Sequence, residues 1–188
     1  HQFLSPIANQ RADAFGGSLE NRMRFPLSVA KAVRDAWPAE KPMFVRISAQ
    51  DGIDGGWTVA DSIIYARALK DIGADLIDCS SGGFEGGAFS VGPGYQVPLA
   101  RAVREGANLP TMAVGLITTP AEAEAVVHDG AADLVALGRE ALDDPNWPLH
   151  ARLELGGTAD PYAEWPRQAG FVVRHKDRAL HLRGFAKD

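Results

Sequence analysis

Short apolar strands that alternate with helices along the chain predict an α/β fold built on parallel strands. Two of the strands are introduced by nearly identical segments, GADLI from Gly73 and AADLV from Ala131, which indicates a repeated strand–helix unit. No G-x-G-x-x-G sequence follows a strand and opens a helix, which disfavours a dinucleotide-binding doubly wound sheet. About four such units are present, so the sequence predicts half of an eight-stranded (β/α)8 TIM barrel.

Local signals place the individual elements. A first helix is predicted over Glu20–Trp37 from apolar residues at helical spacing, with Ser18 as N-cap and Pro38 as the stop. Thr58 and Asp61 form a capping box for a second helix. Strands are predicted at 42–49, 74–80, 111–117 and 132–137. A glycine-rich loop is predicted from Gly82 to about Gln96. Helices are predicted to end at Gly73, Glu105, Gly130 and Gly156–Gly157. The last two helices open with Thr119, Pro120 and Glu122, and with Asp144 and Pro145.

The amino-acid composition excludes several classes of protein and of partner. The chain has 188 residues, 46% of them apolar, a formal net charge of -5 and 19 lysines and arginines scattered along its length, so nucleic acid is not an expected partner. The single cysteine, Cys79, forms neither a disulfide nor a metal cluster within the chain and fits a cytoplasmic location. No apolar run approaches the ~20 residues of a membrane span. Because the chain starts at His1 in what reads as the middle of a domain, we expect a fragment.

Two glycines at strand ends point to a phosphate site. Gly115 and Gly138 each end a predicted strand of successive repeats, and Arg139 follows the second. Barrels often bind phosphate with the loops after their last two strands, where glycine lets the main chain approach and arginine offers a forked donor. The alternative is a pair of ordinary tight turns with a surface arginine.

Arg46 is a charge embedded in an apolar strand, between Val45 and Ile47. A buried charge must be paired or must face a ligand. We therefore expect Arg46 either to form a buried structural ion pair or to place its cation beside a redox ring, where it would stabilise negative charge that develops during reduction.

The histidines, the other acidic residues and the loop aromatics give weaker evidence for a functional site. The five histidines lack metal-site spacing and are expected to be solvated or capping residues rather than ligands, so no metal site is predicted. Asp75 and Asp78 are an odd number of residues apart on one strand, which argues against a carboxylate pair. The loop aromatics could either cover a ligand or anchor the loop. They are Phe84, Phe89 and Tyr95.

Several motifs, in order, resemble the Old Yellow Enzyme family, most closely its bacterial NADPH dehydrogenase and xenobiotic reductase branch. The similarity covers about residues 1–165. The motifs are HQFLSPIAN (His1–Asn9), RAD (Arg11–Asp13), FGGSLENRMRF (Phe15–Phe25), FVRISA (Phe44–Ala49), DCSSG (Asp78–Gly82), PGYQ (Pro93–Gln96), AVGLIT (Ala113–Thr118) and LGRE (Leu137–Glu140).

The resemblance implies the C-terminal half of an FMN-binding (β/α)8 barrel over residues 1–165, with a tail of unknown role at 166–188. It implies an ene-reductase that passes hydride from NADPH through FMN to activated alkenes such as enones, and a homo-oligomeric full-length protein. Arg46 then matches the arginine beside the flavin N1 and O2, and Gly138 with Arg139 matches the phosphate-binding pair. Gly115, Leu116 and Ile117 fall on the other phosphate-side loop. Within PYAEW (Pro161–Trp165), Trp165 is a candidate substrate contact.

The resemblance also implies what this chain lacks. The family's substrate-binding histidine pair and its tyrosine proton donor lie just before the position of His1, so no catalytic residue is expected within the chain. Two alternatives stay open. One is another phosphate-binding barrel enzyme of the aldolase or isomerase type, which would need a Schiff-base lysine or an acid/base pair. The other is a non-catalytic, truncated half-barrel that associates through its open sheet edges.

Overall fold

The computed structural model describes residues 1–156 and 159–182. The chain forms two compact units, one of residues His1–Thr118 and Glu122–Leu137, and the other of Thr119–Ala121 with the described residues from Gly138 onward. The elements in chain order are α1 (Leu19–Ala36), β1 (Phe44–Ser48), α2 (Val59–Ile72), β2 (Leu76–Ser80), α3 (Val97–Ala107), β3 (Thr111–Ala113), α4 (Pro120–His128), β4 (Leu134–Val135), α5 (Arg139–Asp143), α6 (Trp147–Leu155) and α7 (Arg167–Leu182).

The four strands form one sheet in the order β1-β2-β3-β4, and every neighbouring pair is parallel. This confirms the predicted parallel α/β arrangement. The third strand is shorter than predicted because Gly115 and Leu116 have φ values of 121° and 52°, which lie outside the range of a strand. The fourth strand is also shorter, although Ala136 still donates its N–H to the carbonyl of Ala113 at 2.8 Å.

The capping residues of α1 and α2 act where the sequence predicts them. The Ser18 side chain accepts a hydrogen bond from the N–H of Asn21 and starts α1. Thr58 and Asp61 form the reciprocal capping box of α2, which ends at Gly73 with a φ of 101°. Glu122 accepts a hydrogen bond from the N–H of Thr118 beside the start of α4.

The second unit departs from the predictions. Asp144 does not open a helix; it terminates α5, an unpredicted short helix, and α6 starts after Asn146. The Asp144 carboxylate accepts the N–H of Asn146, so it stabilises the turn between the two helices. Helix α6 ends at Gly156 as predicted, and Gly157 lies outside the described residues. The tail, for which no element is predicted, contains the 16-residue helix α7.

The core lies on one face of the sheet. Ile77 and Cys79 are fully buried there, and Leu69 of α2 and Val103 of α3 belong to the same buried cluster. The burial of these side chains supplies the main driving force for folding of the first unit, at roughly 1.5–3 kcal/mol for each large apolar side chain.

The opposite face of the sheet is open. Register pairs Arg46 with Asp78, Asp78 with Met112, and Met112 with Leu134, so these four side chains form a row across that face. Leu134 is 43% exposed, and Phe44, two residues before Arg46, is 50% exposed. The apolar residues at helical spacing that predict α1, such as Phe25, Val29 and Val33, are also exposed. Helix α1 instead buries Arg22, Met23 and Ala30.

Cys79 is expected to resist thiol reagents in the folded protein. Its side chain is fully buried, and burial raises the pKa of the thiol to about 12, so almost no thiolate exists at pH 8. A disulfide-exchange reagent at pH 8 should react at least ~100-fold more slowly with the folded protein than with the protein in urea. Because Cys79 is the only cysteine, the assay reports on this site alone. Rapid reaction without denaturant would contradict the burial.

Of the helices in the two described stretches, none combines the length and the apolar character that a membrane crossing requires.

Candidate functional site

Arg46 lies on the open face of the sheet. Its guanidinium Nη1 donates to Oδ2 of Asp78 at 3.0 Å, and its side chain is 56% exposed while that of Asp78 is 14% exposed. The expectation that Arg46 is embedded is therefore wrong. Along a strand, side chains alternate between faces, so Val45 and Ile47 turn toward the helices and Arg46 turns away from them. The arginine is half of an ion pair, and within residues 1–156 and 159–182 most of its N–H donors have no other partner.

Asp78 is the partner that the sequence did not identify. Burial raises the pKa of its carboxyl, and the nearby Arg46 cation partly offsets that effect. Its other oxygen, Oδ1, is buried and has no hydrogen-bond partner among the described residues. Asp75, at the other end of the strand, accepts the N–H of Met43 instead, so the two acids do not form a pair. The useful signal was the position of Asp78, beside Arg46 in a parallel register.

The turn after β3 carries three predicted residues. Gly115 has a φ of 121°, and a Cβ there would lie 2.8 Å from the side-chain amide of Gln96 and 3.1 Å from the ring of Tyr95. Leu116 follows with a φ of 52°, an uncommon value for a residue with a side chain, and Ile117 is buried. The turn therefore depends on glycine at position 115 for close packing against Gln96.

Gln96 connects the ends of two strands. It is 5% exposed, and its side chain hydrogen-bonds Ser81, which follows β2, at 2.7 Å. When the Gln96 amide is oriented so that its oxygen accepts from Ser81, its nitrogen donates to the carbonyl of Val114 at 3.2 Å. Val114 is the residue that follows β3. The loops after β2 and β3 are thus held together by one buried amide at the carboxyl edge of the sheet.

A second cluster of hydrogen-bonded residues lies beyond the end of β1. We call it the rim cluster, and it consists of His1, Ser5, Asp51 and Trp57. Asp51 is fully buried. One carboxylate oxygen pairs with Nε2 of His1 at 2.6 Å, and the other accepts the Ser5 hydroxyl and the Trp57 N–H, both at 2.7 Å. His1 is therefore not a solvated residue; its side chain is only 21% exposed. Sequence reasoning missed this cluster, since His1 and Asp51 are 50 residues apart.

The aromatic residues of the glycine-rich loop divide between two environments. The Phe89 ring packs so closely on Gly52 that a Cβ at Gly52 would lie 2.6 Å from it, which favours the interpretation of Phe89 as a loop anchor. Phe84 lies with its ring centroid 5.6 Å from that of His1, next to the rim cluster.

In the second unit, Gly138 precedes α5 and Arg139 is its first residue. A Cβ at Gly138 would meet no atom within 4 Å, so close packing does not explain the glycine. The side chain of Arg139 is exposed and forms no hydrogen bond or ion pair with the residues at 1–156 and 159–182. Both features leave room for a ligand at this position.

Trp165 is buried in the second unit. It is 8% exposed, and its ring centroid lies 5.3 Å from that of His150. His150 in turn contacts Asp144 at 2.5 Å, and this hydrogen bond lowers the pKa of the Asp144 carboxyl. The indole Nε1 of Trp165 is a buried donor for which the described part of the chain supplies no acceptor.

Comparison with known proteins gives consistent matches. Residues 1–156 match the family described as NADH:flavin oxidoreductase / NADH oxidase. An NADPH dehydrogenase of Geobacillus thermodenitrificans (strain NG80-2) is 48% identical over 167 residues, which cover 89% of this chain and 48% of that protein. An NADPH dehydrogenase of Halalkalibacterium halodurans is 46% identical over 167 residues, which cover 89% of this chain and 49% of that protein. The chain thus spans about half the length of the curated relatives it matches.

Solved structures resemble the chain as well. A 2-naphthoyl-CoA reductase in complex with 2-naphthoyl-CoA matches with a TM-score of 0.74 and 30% identity over 82% of this chain and 24% of that one. Morphinone reductase matches with a TM-score of 0.65 and 27% identity over 88% of this chain and 46% of that one. With the parallel sheet, these matches confirm the predicted fold class, part of a (β/α)8 barrel.

Proposed function

Because the chain belongs to the NADH:flavin oxidoreductase / NADH oxidase family, we propose that it is the flavin-phosphate side of an FMN-dependent ene-reductase. The Old Yellow Enzyme resemblance is confirmed at the level of the family. In the proposed reaction, hydride passes from NADPH through FMN to an activated alkene such as an enone. The observation that carries the proposal is the exposed Arg46 guanidinium, held by Asp78 on the open face of the sheet.

Arg46 has the chemistry that a flavin ring requires of its surroundings. FMN supplies a ring that accepts hydride and passes it on, and negative charge develops on the ring as it is reduced. A fixed cation beside that charge stabilises the reduced ring, and arginine stays protonated at every relevant pH. Arg46 uses one nitrogen for Asp78, which leaves its other N–H groups to orient the ring.

The residues assigned to the phosphate fit a dianion. Arg139 is an exposed arginine without an ion pair in the described parts of the chain, and the space at Gly138 is open on the side where a Cβ would stand. Arginine can bind phosphate oxygens through two parallel N–H donors. We also propose Gly115, Leu116 and Ile117 of the first unit as cofactor-binding residues, and Trp165 as a substrate contact.

Two other functions are less well supported. An aldolase or isomerase would place a lysine or an acid/base pair at a strand end, and the described strands β1 to β4 end in Ser48, Ser80, Ala113 and Val135. A non-catalytic half-barrel is favoured by one observation, the exposed apolar side chains on the open face, such as Phe44. We propose instead that this face belongs to the interior of a larger, homo-oligomeric enzyme.

The Arg139→Ala variant of the complete protein that contains this chain is expected to bind FMN about 10–100-fold more weakly, because charge-assisted hydrogen bonds contribute about 1.5–3 kcal/mol. The dissociation constant can be measured by titrating the apoprotein with FMN and following quenching of flavin fluorescence. Arg101→Ala removes another exposed arginine and should leave FMN affinity unchanged. A complete protein that purifies colourless and ignores FMN in this titration would refute the proposed function.

A further inference from the structure

We propose that Asp78 is a positioning residue for the flavin: it holds the Arg46 guanidinium toward the ring, and its negative charge makes the ring harder to reduce. The inference rests on the proposed function and assigns a role to a residue that the family motifs left without one. Arg46 and Asp78 are register partners on adjacent parallel strands, joined by a hydrogen bond of 3.0 Å.

The side chains of Arg46 and Asp78 differ in conformational freedom. An exposed arginine samples many rotamers, and ordering it costs about 2 kcal/mol of side-chain entropy. Asp78 is short, 14% exposed and located on β2, which is paired on both sides by β1 and β3. A rigid acceptor of this kind restricts Arg46 before a ligand arrives, so less entropy is lost when the ligand binds.

Stability alone does not explain this ion pair. A pair in which one member is more than half exposed contributes little, about 0–1 kcal/mol, while removing a carboxylate from water is unfavourable. Burial raises the pKa of Asp78, because removal from water disfavours the charged form, and Arg46 partly offsets this effect. An apolar residue at this position would pack against the row of Met112 and Leu134 without that penalty.

The second oxygen of Asp78, Oδ1, also argues that stability alone does not explain the carboxylate. Oδ1 is buried without a donor from any described residue, and a buried carboxylate oxygen without a hydrogen bond is unfavourable. The stability of the described fold therefore does not account for a carboxylate at this position. The remaining Arg46 N–H donors lie on the open face, where they suit a carbonyl at the edge of a planar heterocycle.

The test uses the complete FMN-loaded protein and two substitutions at position 78. Asp78→Asn removes the charge but keeps an oxygen that can accept from Arg46, so FMN affinity should stay near that of wild type while the midpoint potential becomes more positive. Asp78→Ala removes the acceptor as well, and its FMN dissociation constant should rise about 10-fold, equivalent to about 1.4 kcal/mol. Potential is read by equilibration with a redox dye, and affinity by fluorescence titration, so neither readout depends on turnover.

Asp75→Asn is the matched control. It makes the same change of charge beside the same strand, but at its opposite end, where the carboxylate accepts the Met43 N–H. It should leave the flavin potential unchanged. If Asp78→Ala does not fold, Asp78→Asn still tests the inference through the potential. A wild-type protein that binds FMN, with an Asp78→Asn variant whose potential equals that of wild type, overturns the role of Asp78 alone; a wild-type protein that does not bind FMN overturns the proposed function too.

Discussion

Replacing Asp51 by alanine is expected to lower the free energy of unfolding by about 3–5 kcal/mol, because several hydrogen-bonding groups lose one shared buried acceptor. The carboxylate is fully buried and accepts from three groups at 2.6–2.7 Å: His1, Ser5 and the backbone of Trp57. Alanine leaves all three polar groups inside the protein without an acceptor, and each unsatisfied group costs about 1–3 kcal/mol. Urea unfolding of the purified protein, followed by tryptophan fluorescence, measures the change.

Asp54→Ala is the control for this experiment. Asp54 lies in the same loop and is exposed, so its replacement should change stability by no more than about 0.5 kcal/mol. Asp51→Asn should lie between the two, because the amide oxygen can serve one group of donors but the amide nitrogen would face another. An Asp51→Ala protein within 1 kcal/mol of wild type, on the order of a single ordinary hydrogen bond, would show that the rim cluster does not hold the loop.

Replacing Gly115 by alanine is expected to destabilise the protein by about 2–4 kcal/mol. The φ of 121° is strained for any residue with a Cβ, and the added carbon would lie 2.8 Å from the buried Gln96 amide. Gln96 cannot move away freely, because its side chain bonds Ser81. The loss is measured as a lower Tm in a thermal melt and as a lower urea midpoint.

Gly92→Ala controls for the loss of backbone freedom at a glycine. A Cβ at Gly92 meets no atom within 4 Å, and its φ is not left-handed, so alanine there should be neutral or stabilising by up to about 1 kcal/mol. Equal stability of the Gly115→Ala and Gly92→Ala proteins would rule out the close approach of Gln96 to the turn after β3.

The helix and strand predictions succeeded where short-range chemistry decides the structure. Ser18 starts α1, the Thr58 and Asp61 box starts α2, and Gly73 ends it. A cap or a left-handed glycine acts on the backbone within one turn, so its effect is readable from neighbouring letters. The same reasoning failed at Asp144, because an aspartate can end one helix as readily as it can start the next.

The long helix α7 shows a different limit. Its residues Arg167–Leu182 have strong amphipathic spacing, yet Phe171 and Val172 are 66% and 63% exposed. The motif similarity ended before this segment, and no start signal such as a serine or aspartate cap precedes it in the sequence. Without a cap or a recognised motif, the period of the apolar residues is the only indication of this helix in the sequence.

The order of the strands and of helices α1 to α4, the caps of α1 and α2, the parallel class of the sheet and the membership of the family were determined by the sequence itself, through local periodicity and motifs of a few residues. Only the tertiary structure decided that Arg46 is exposed and that Asp78 holds it, or that Asp51 collects His1, Ser5 and Trp57. These partners are up to 50 residues apart in the chain, and they meet because parallel register and strand alternation place them together. Burial and pairing depend on which face of the sheet is covered, a property of the assembled layers that local sequence does not contain.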